Sequence, residues 1–194
     1  MRRVLSSIFL ILLLGGGIWY ASGRFGGKSN KGITNEAPPP PPPLTYATKP
    51  EVGFLAPDFL LKTLDGREIR LSDYLGKWVV LNFWSTQCPF CLTELRNYSR
   101  LVNENQGWLT VIAINRGEPS AVVDNYLNNY IKPSDIVFVF DPEDELYGRY
   151  QGKNMPESFF IDTSGVIRDH KLGELLFEDM RLKVKMLREA PAGK

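Results

Sequence analysis

The feature that most constrains the fold is the segment Cys88-Pro89-Phe90-Cys91, which holds both cysteines of this 194-residue chain. It lies three residues after the segment 78–84, an apolar run rich in β-branched and aromatic residues, as a buried strand is. After the pair, apolar residues recur at helical spacing; they are Leu92, Leu95, Tyr98, Leu101 and Val102. The sequence therefore predicts a central strand that turns into a helix at the two cysteines.

This placement predicts a thiol chemistry. Cys88 is expected at the start of the helix, with Pro89 at the first helical position, where a missing amide hydrogen costs nothing. The unpaired amides and the helix dipole favour an anion there, which lowers the pKa of a Cys88 thiol. Cys91 lies one turn later, where it can resolve a mixed disulfide formed at Cys88. We therefore predict a reversible dithiol, with Cys88 as the nucleophile and Cys91 as the resolving cysteine.

Two other uses of a cysteine pair are less well supported. A structural zinc site needs about four ligands, and His170 is the only further sulfur or imidazole donor of that kind in the chain, so we predict no metal site. A purely structural disulfide across so few residues restrains the unfolded chain very little. The redox interpretation is favoured over both.

The amino-terminal residues predict a membrane anchor. Residues 4–21 carry no charge and are mostly apolar, at the short end of the length that spans a bilayer. We predict an anchor over 1–21 rather than a signal peptide, because no clear small-residue cleavage site follows. Basic residues lie on both flanks and do not fix the orientation. A long cysteine-bearing domain nevertheless fits a single-pass cell-membrane protein whose domain lies on the extracytoplasmic side.

Between anchor and domain, residues 22–50 predict a flexible linker. It contains Pro38–Pro43, six consecutive prolines that act as a stiff polyproline spacer. Residues 51–194 are long enough for one domain, with 17 Lys and Arg against 21 Asp and Glu. Without a basic stripe, nucleic acid is not an expected partner.

Strands alternate with helices along this domain. Two short strands flank Asp65-Gly66, a hairpin signal, and Ser72-Asp73 indicates a capped helical turn. The further predicted strands are 78–84, 109–114, 136–140, 158–162 and 166–171, and the helices after the cysteine helix are 120–130, 144–150 and 175–189. This order predicts a three-layer α/β fold around a central mixed sheet.

Several segments together resemble the thioredoxin superfamily, specifically the membrane-anchored thiol-disulfide oxidoreductases of the TlpA and ResA type. The resemblance covers nearly all of 51–194. It rests on Ala56-Pro57-Asp58-Phe59, the strand 79–84, the Cys88–Cys91 motif, Met155-Pro156 with 158–162, and a helical insert around 118–134. It implies a thioredoxin-like fold with an amino-terminal hairpin.

The resemblance also implies roles for single residues. Pro156 matches a cis-proline that faces the disulfide and leaves the backbone of Met155 free to pair with a substrate strand. Gln87 is then expected beside the substrate groove. Trp84 is predicted to bind substrate as a groove-lining aromatic, with a place in the core as the alternative. Glu94 matches an acid that tunes the thiols, although a solvated carboxylate in an early helical turn is the alternative.

Three positions, Asn82, Gln87 and Glu157, are interpreted by comparison with the family that the chain resembles. Asn82 stands where thioredoxin itself has a buried acid. Gln87 replaces a common tryptophan, and Glu157 follows the cis-proline position, where threonine is commoner. Both are expected near the groove, where they would alter partner choice and redox poise. His170 is predicted to be a surface residue.

The predicted function is that of an extracytoplasmic thiol-disulfide oxidoreductase, which reduces or exchanges disulfides of exported proteins. The family analogy names apocytochrome c as a client, and hence cytochrome c maturation, with a membrane-embedded thiol donor that resets the pair. We expect a monomer and no cofactor beyond the Cys88–Cys91 disulfide.

Two alternatives stay open. Ala56-Pro57-Asp58-Phe59 also occurs in peroxiredoxin-type peroxidases, and Ser85 fits that motif, but Leu81 stands where such enzymes have a proline. A tethered binding module or copper chaperone is the second; its relatives use a wider cysteine pair and a distal histidine.

Overall fold

The computed structural model describes residues 47–131 and 135–189. The predicted anchor 1–21 and most of the predicted linker 22–50 lie outside these residues. Within the described ranges, none of the helices combines the length and the apolar character that crossing a bilayer requires.

The described part of the chain is built on one seven-stranded sheet with the order β2-β1-β5-β4-β3-β6-β7. β3 is an inner strand, parallel to β4 and antiparallel to β6, so the sheet is mixed. The strands are β1 Leu60–Thr63, β2 Glu68–Arg70, β3 Trp78–Trp84, β4 Leu109–Arg116, β5 Val137–Asp141, β6 Glu157–Ile161 and β7 Ile167–Leu172. The predicted hairpin at Asp65-Gly66 joins β1 and β2.

Helices cover both faces of the sheet. They are α1 Cys91–Glu104, α2 Ser120–Tyr130, α3 Glu145–Arg149 and α4 Phe177–Glu189, and the predicted turn at Ser72-Asp73 is a short 3₁₀ helix, Leu71–Tyr74. The apolar side chains of α1, α2 and α4 form one core, and those of α3 and the β1–β2 hairpin contribute to a second core on the opposite face. The predicted three-layer, thioredoxin-like α/β fold is confirmed.

The two cores follow from the alternation of side chains along β3. Val80 and Trp84 belong to the core of α1, whereas Val79, Leu81 and Phe83 belong to the core of α3. β6 alternates in the same way and pairs Ser158 with Asn82 and Glu157 with Phe83. Ser158 therefore lies on the α1 face of the sheet, and Glu157 lies on the α3 face.

A buried carboxylate at the end of β5 organises the start of α3. Asp141 is 3% exposed, and its carboxylate accepts hydrogen bonds from the amides of Glu145 (3.1 Å), Leu146 (2.9 Å) and Tyr147 (3.1 Å). We expect Asp141→Ala to lower the free energy of unfolding by about 2–3 kcal/mol, because buried helix amides lose a charged acceptor. Urea denaturation measures this loss.

Glu143→Ala is the matched control, because Glu143 lies two residues away and is exposed. Its effect is expected within about 0.5 kcal/mol of zero. Equal unfolding midpoints for the two variants would show that Asp141 does not organise α3.

Candidate active site

Cys88 and Cys91 form a disulfide at the carboxyl end of β3, with their Cα atoms 5.4 Å apart. The prediction that the helix begins at Cys88, with Pro89 at its first position, is wrong: α1 begins at Cys91. The Cys91 amide donates to the Cys88 carbonyl (3.3 Å), so the residues between them form a tight turn ahead of the helix. Through the disulfide, the Cys88 sulfur still lies at the amino end of α1, where the helix dipole favours a thiolate.

The two cysteines differ in exposure. Cys88 is 6% exposed and Cys91 is 1% exposed. Beside them, Phe90 leaves 55% of its surface in solvent. A partner therefore reaches Cys88 first, which supports Cys88 as the nucleophile and Cys91 as the resolving cysteine.

Glu94 is completely buried on the first turn of α1. Its Oε1 accepts from the Leu175 amide (2.9 Å), and its Oε2 accepts from Asn82 Nδ2 (2.6 Å). Burial raises the pKa of Glu94 to about 7, although these two hydrogen bonds oppose the rise. The alternative of a solvated carboxylate is wrong, and near neutral pH this group can both take up and release a proton.

Asn82 extends this contact into a buried polar network that the sequence analysis missed. Asn82 Nδ2 donates to Ser158 Oγ (3.1 Å), and the Tyr98 hydroxyl donates to the same Oγ (2.8 Å). Burial also raises the pKa of Tyr98 well above its usual value. One feature of the sequence could have indicated this network: Glu94 and Tyr98 are four residues apart and therefore share a helix face.

A second carboxylate tethers the loop between β3 and Cys88. Glu118 Oε2 accepts from the Thr86 amide (2.8 Å) and from Asn115 Nδ2 (2.6 Å), and its Oε1 accepts from the Thr86 hydroxyl. The loops after β3 and β4 meet because these strands are parallel neighbours. Glu118 was predicted only as part of the helical insert, because no local sequence pattern indicates its contact with Thr86.

A surface groove of about 470 Å³ runs beside the cysteine turn. The Met155–Pro156 peptide bond at its edge is cis, as the resemblance implied. Within the described residues, the backbone of Met155 forms no hydrogen bond with other backbone groups. The groove is lined by Pro89, Phe90, Asn154, Met155, Pro156, Gly173 and Glu174.

Two residues predicted to bind substrate lie in different environments. Gln87 is exposed next to Cys88, so a role in substrate binding stays a prediction. Trp84 is completely buried in the α1 core and packs against Tyr126 and Phe138. Trp84 therefore lies beneath the disulfide rather than in the groove, and we assign it no contact with substrate.

Glu157 and His170 contact each other. Glu157 directly follows Pro156 at the edge of the groove, but its side chain is completely buried, and its Oε1 lies 2.7 Å from His170 Nε2. The His170 ring stacks on Phe159, with centroids 4.1 Å apart and planes within 9°. His170 is thus half-buried and paired rather than a free surface residue, because the β6–β7 pairing sets it opposite Phe159.

In the described part of the chain, no group of three or more His, Cys, Asp or Glu side chains could hold a metal ion.

Comparison with known proteins gives concordant matches. The AhpC/TSA family profile matches residues 52–170. The thiol-disulfide oxidoreductase ResA of Geobacillus thermodenitrificans is 34% identical over 146 residues, which are 74% of this chain and 82% of that protein.

Two solved structures share the fold. A putative thiol:disulfide interchange protein DsbE from Chlorobium tepidum has a TM-score of 0.65 and 27% identity, and the match covers 71% of this chain and 96% of the other. The exposed lipoprotein thioredoxin Etrx1 of Streptococcus pneumoniae has a TM-score of 0.60 and 28% identity, with 67% and 99% covered.

Proposed function

The chain belongs to the AhpC/TSA family as a TlpA/ResA-like thiol-disulfide oxidoreductase of the thioredoxin superfamily, and we propose that it reduces disulfides of exported proteins outside the cytoplasm. The observation that carries the proposal is the Cys88–Cys91 disulfide at the amino end of α1, in which Cys88 is the more exposed cysteine and is followed by Pro89 and Phe90, two residues that line an open groove. This arrangement favours exchange with a protein disulfide.

In the proposed reaction, the Cys88 thiolate attacks one sulfur of a substrate disulfide. A mixed disulfide forms, and the other substrate sulfur leaves as a thiolate, which takes up a proton. The Cys91 thiolate then attacks the Cys88 sulfur and releases the second substrate thiolate, which is protonated in turn. The substrate gains two electrons and two protons, and the protein is left with the Cys88–Cys91 disulfide.

Glu94 is proposed to accept the proton of Cys91 in the second step. It lies one turn after Cys91 on α1, and its pKa of about 7 lets it change protonation state near neutral pH. Its two hydrogen bonds hold the carboxylate in place while it does so.

The groove is proposed to bind the substrate as an extended peptide. The unpaired backbone of Met155 offers a donor and an acceptor at the edge of the groove, next to Pro156. A peptide strand can satisfy both groups, as in other cases of strand addition. Gln87 is exposed and precedes Cys88 in the chain, and it is proposed to contact the same peptide.

The extracytoplasmic location is proposed from two observations. Residues 1–21 predict a membrane anchor, and dithiol chemistry on protein disulfides suits an oxidising compartment. The pneumococcal protein of similar structure is, by its name, an exposed lipoprotein. We extend the proposal to a monomer reset by a membrane-embedded thiol donor, with apocytochrome c as one client.

The reduction potential of the full-length chain tests the proposed direction. We expect a reversible two-electron transition at or below about −250 mV against dithiothreitol buffers, the range of reductants. Trp84 packs in the same core as the disulfide, so tryptophan fluorescence can follow the transition. A potential of about −120 to −180 mV would identify an oxidant instead, and the lack of a reversible transition would refute the dithiol function.

A further inference from the structure

A buried carboxylate that the proposed reaction does not use lies directly after Pro156. The side chain of Glu157 is completely inaccessible to solvent. Its Oε2 accepts a hydrogen bond from the Lys153 amide (3.0 Å), and its Oε1 meets His170 Nε2 at 2.7 Å. A carboxylate with no access to water needs such partners, because burying it alone would be very costly.

The Lys153 amide belongs to a segment that forms one wall of the groove. Asn154 and Met155 line the groove, and Lys153 precedes them. Within the described ranges, the bond from Lys153 to Glu157 is the only hydrogen bond that residues 153–155 make. Glu157 is therefore the single polar tether of this wall.

Both ends of the segment are fixed by other contacts. Gly152 donates to the Tyr147 carbonyl (3.0 Å) and lies so close to the Tyr147 ring that an added Cβ would come within 2.1 Å of it. At the other end, the Pro156 carbonyl accepts from the Gly173 amide (2.8 Å). Between these fixed ends, the Met155 side chain packs against both cores, and Glu157 supplies the hydrogen bond that holds the backbone at Lys153.

His170 holds the carboxylate in turn. β6 and β7 pair Phe159 with His170, and the stacked ring reaches diagonally to Glu157. The imidazole is held by its stacking and cannot turn away from Glu157 without losing that contact. The β6–β7 pairing thus positions His170, His170 holds Glu157, and Glu157 holds the groove wall.

We propose that Glu157, held by His170, is a positioning residue that keeps Lys153–Met155 in the shape that receives an extended peptide of the substrate. This inference rests on the proposed function. It predicts that Glu157 affects the binding of protein disulfides and has little effect on small disulfides, which need no strand pairing.

Two variants of the full-length chain separate positioning from general damage. Glu157→Leu removes the acceptor at similar volume, and Glu157→Gln keeps an oxygen for the Lys153 amide. With dithiothreitol as reductant, Glu157→Leu is expected to raise the KM for insulin about tenfold and to change kcat less than about twofold, as loss of a charge-assisted hydrogen bond predicts.

Glu157→Gln is expected to restore the KM to within about threefold of the wild type, and Glu143→Leu, an exposed change outside the groove, to leave it unchanged. The rate with oxidised glutathione and the reduction potential are expected to match the wild type in all three variants.

An unchanged KM for insulin in Glu157→Leu would overturn the proposal, as would an equal loss of rate with oxidised glutathione. If Glu157→Leu does not fold, amide hydrogen exchange of the wild type decides: the Lys153 amide is expected to exchange at least about tenfold more slowly than that of Asn154, and equal rates would overturn the proposal. A wild type that reduces neither disulfide would refute the proposed function instead.

Discussion

Replacing Cys88 with Ser is expected to lower the rate of insulin reduction by about a thousandfold or more, because the first attack loses its nucleophile. Cys91→Ser is expected to block turnover as well, but only after the first step. Since Cys88 remains reactive in that variant, a mixed disulfide with the substrate accumulates. Non-reducing gels and intact-mass spectrometry detect this adduct directly.

The two variants are each other's control, because both lack the internal disulfide and differ only in the sulfur that remains. Cys88 is the more exposed of the two cysteines, so the adduct is expected in Cys91→Ser alone. An adduct that forms in Cys88→Ser and not in Cys91→Ser would reverse the assigned roles.

Glu94 is expected to make the stability of the oxidised protein depend on pH. Burial raises its pKa from 4.5 to about 7, so between these values the folded protein binds a proton that the unfolded chain has lost. The stabilisation by the protonated group is complete below about pH 4.5 and is lost as the pH rises to about 7. The loss is about 3 kcal/mol by linkage, and urea denaturation at each pH measures it.

Glu94→Gln removes this dependence, because the amide does not titrate. Between pH 4.5 and 7.5, the free energy of unfolding of the wild type is therefore expected to fall by about 3 kcal/mol relative to that of Glu94→Gln. Glu68→Gln, a change in an exposed residue of β2, is expected to follow the wild type throughout. Parallel curves for Glu94→Gln and the wild type would contradict a raised pKa.

Much of the fold could be predicted from local patterns in the sequence. The apolar run 78–84 and the following helical spacing placed β3, the cysteine turn and α1, because each depends on near neighbours in the chain. The start of α1 was misplaced by three residues, since the turn that joins the cysteines replaces the first helical turn. The alternation of side chains along β3 places Trp84 on the same face as Val80, so the sequence already indicated that Trp84 is buried.

The polar contacts of the site were harder to predict because they join distant parts of the chain. Glu157 was expected near the groove because it follows Pro156, but its contact with His170 depends on the β6–β7 pairing. Glu118 and Thr86 meet for a similar reason, through the parallel pairing of β3 and β4. Such contacts leave no local signature in composition or periodicity.

The two faces of the central sheet keep two buried carboxylates apart. Asn82 and Ser158 extend towards Glu94 on the face of α1, whereas Glu157 and His170 lie on the face of α3. These two networks share no side chain. A mutation in the Glu157 network can therefore change client preference without changing the thiol chemistry that depends on the Glu94 network. The sheet therefore acts as a partition, and reactivity and selectivity can be altered, by mutation or by engineering, one at a time.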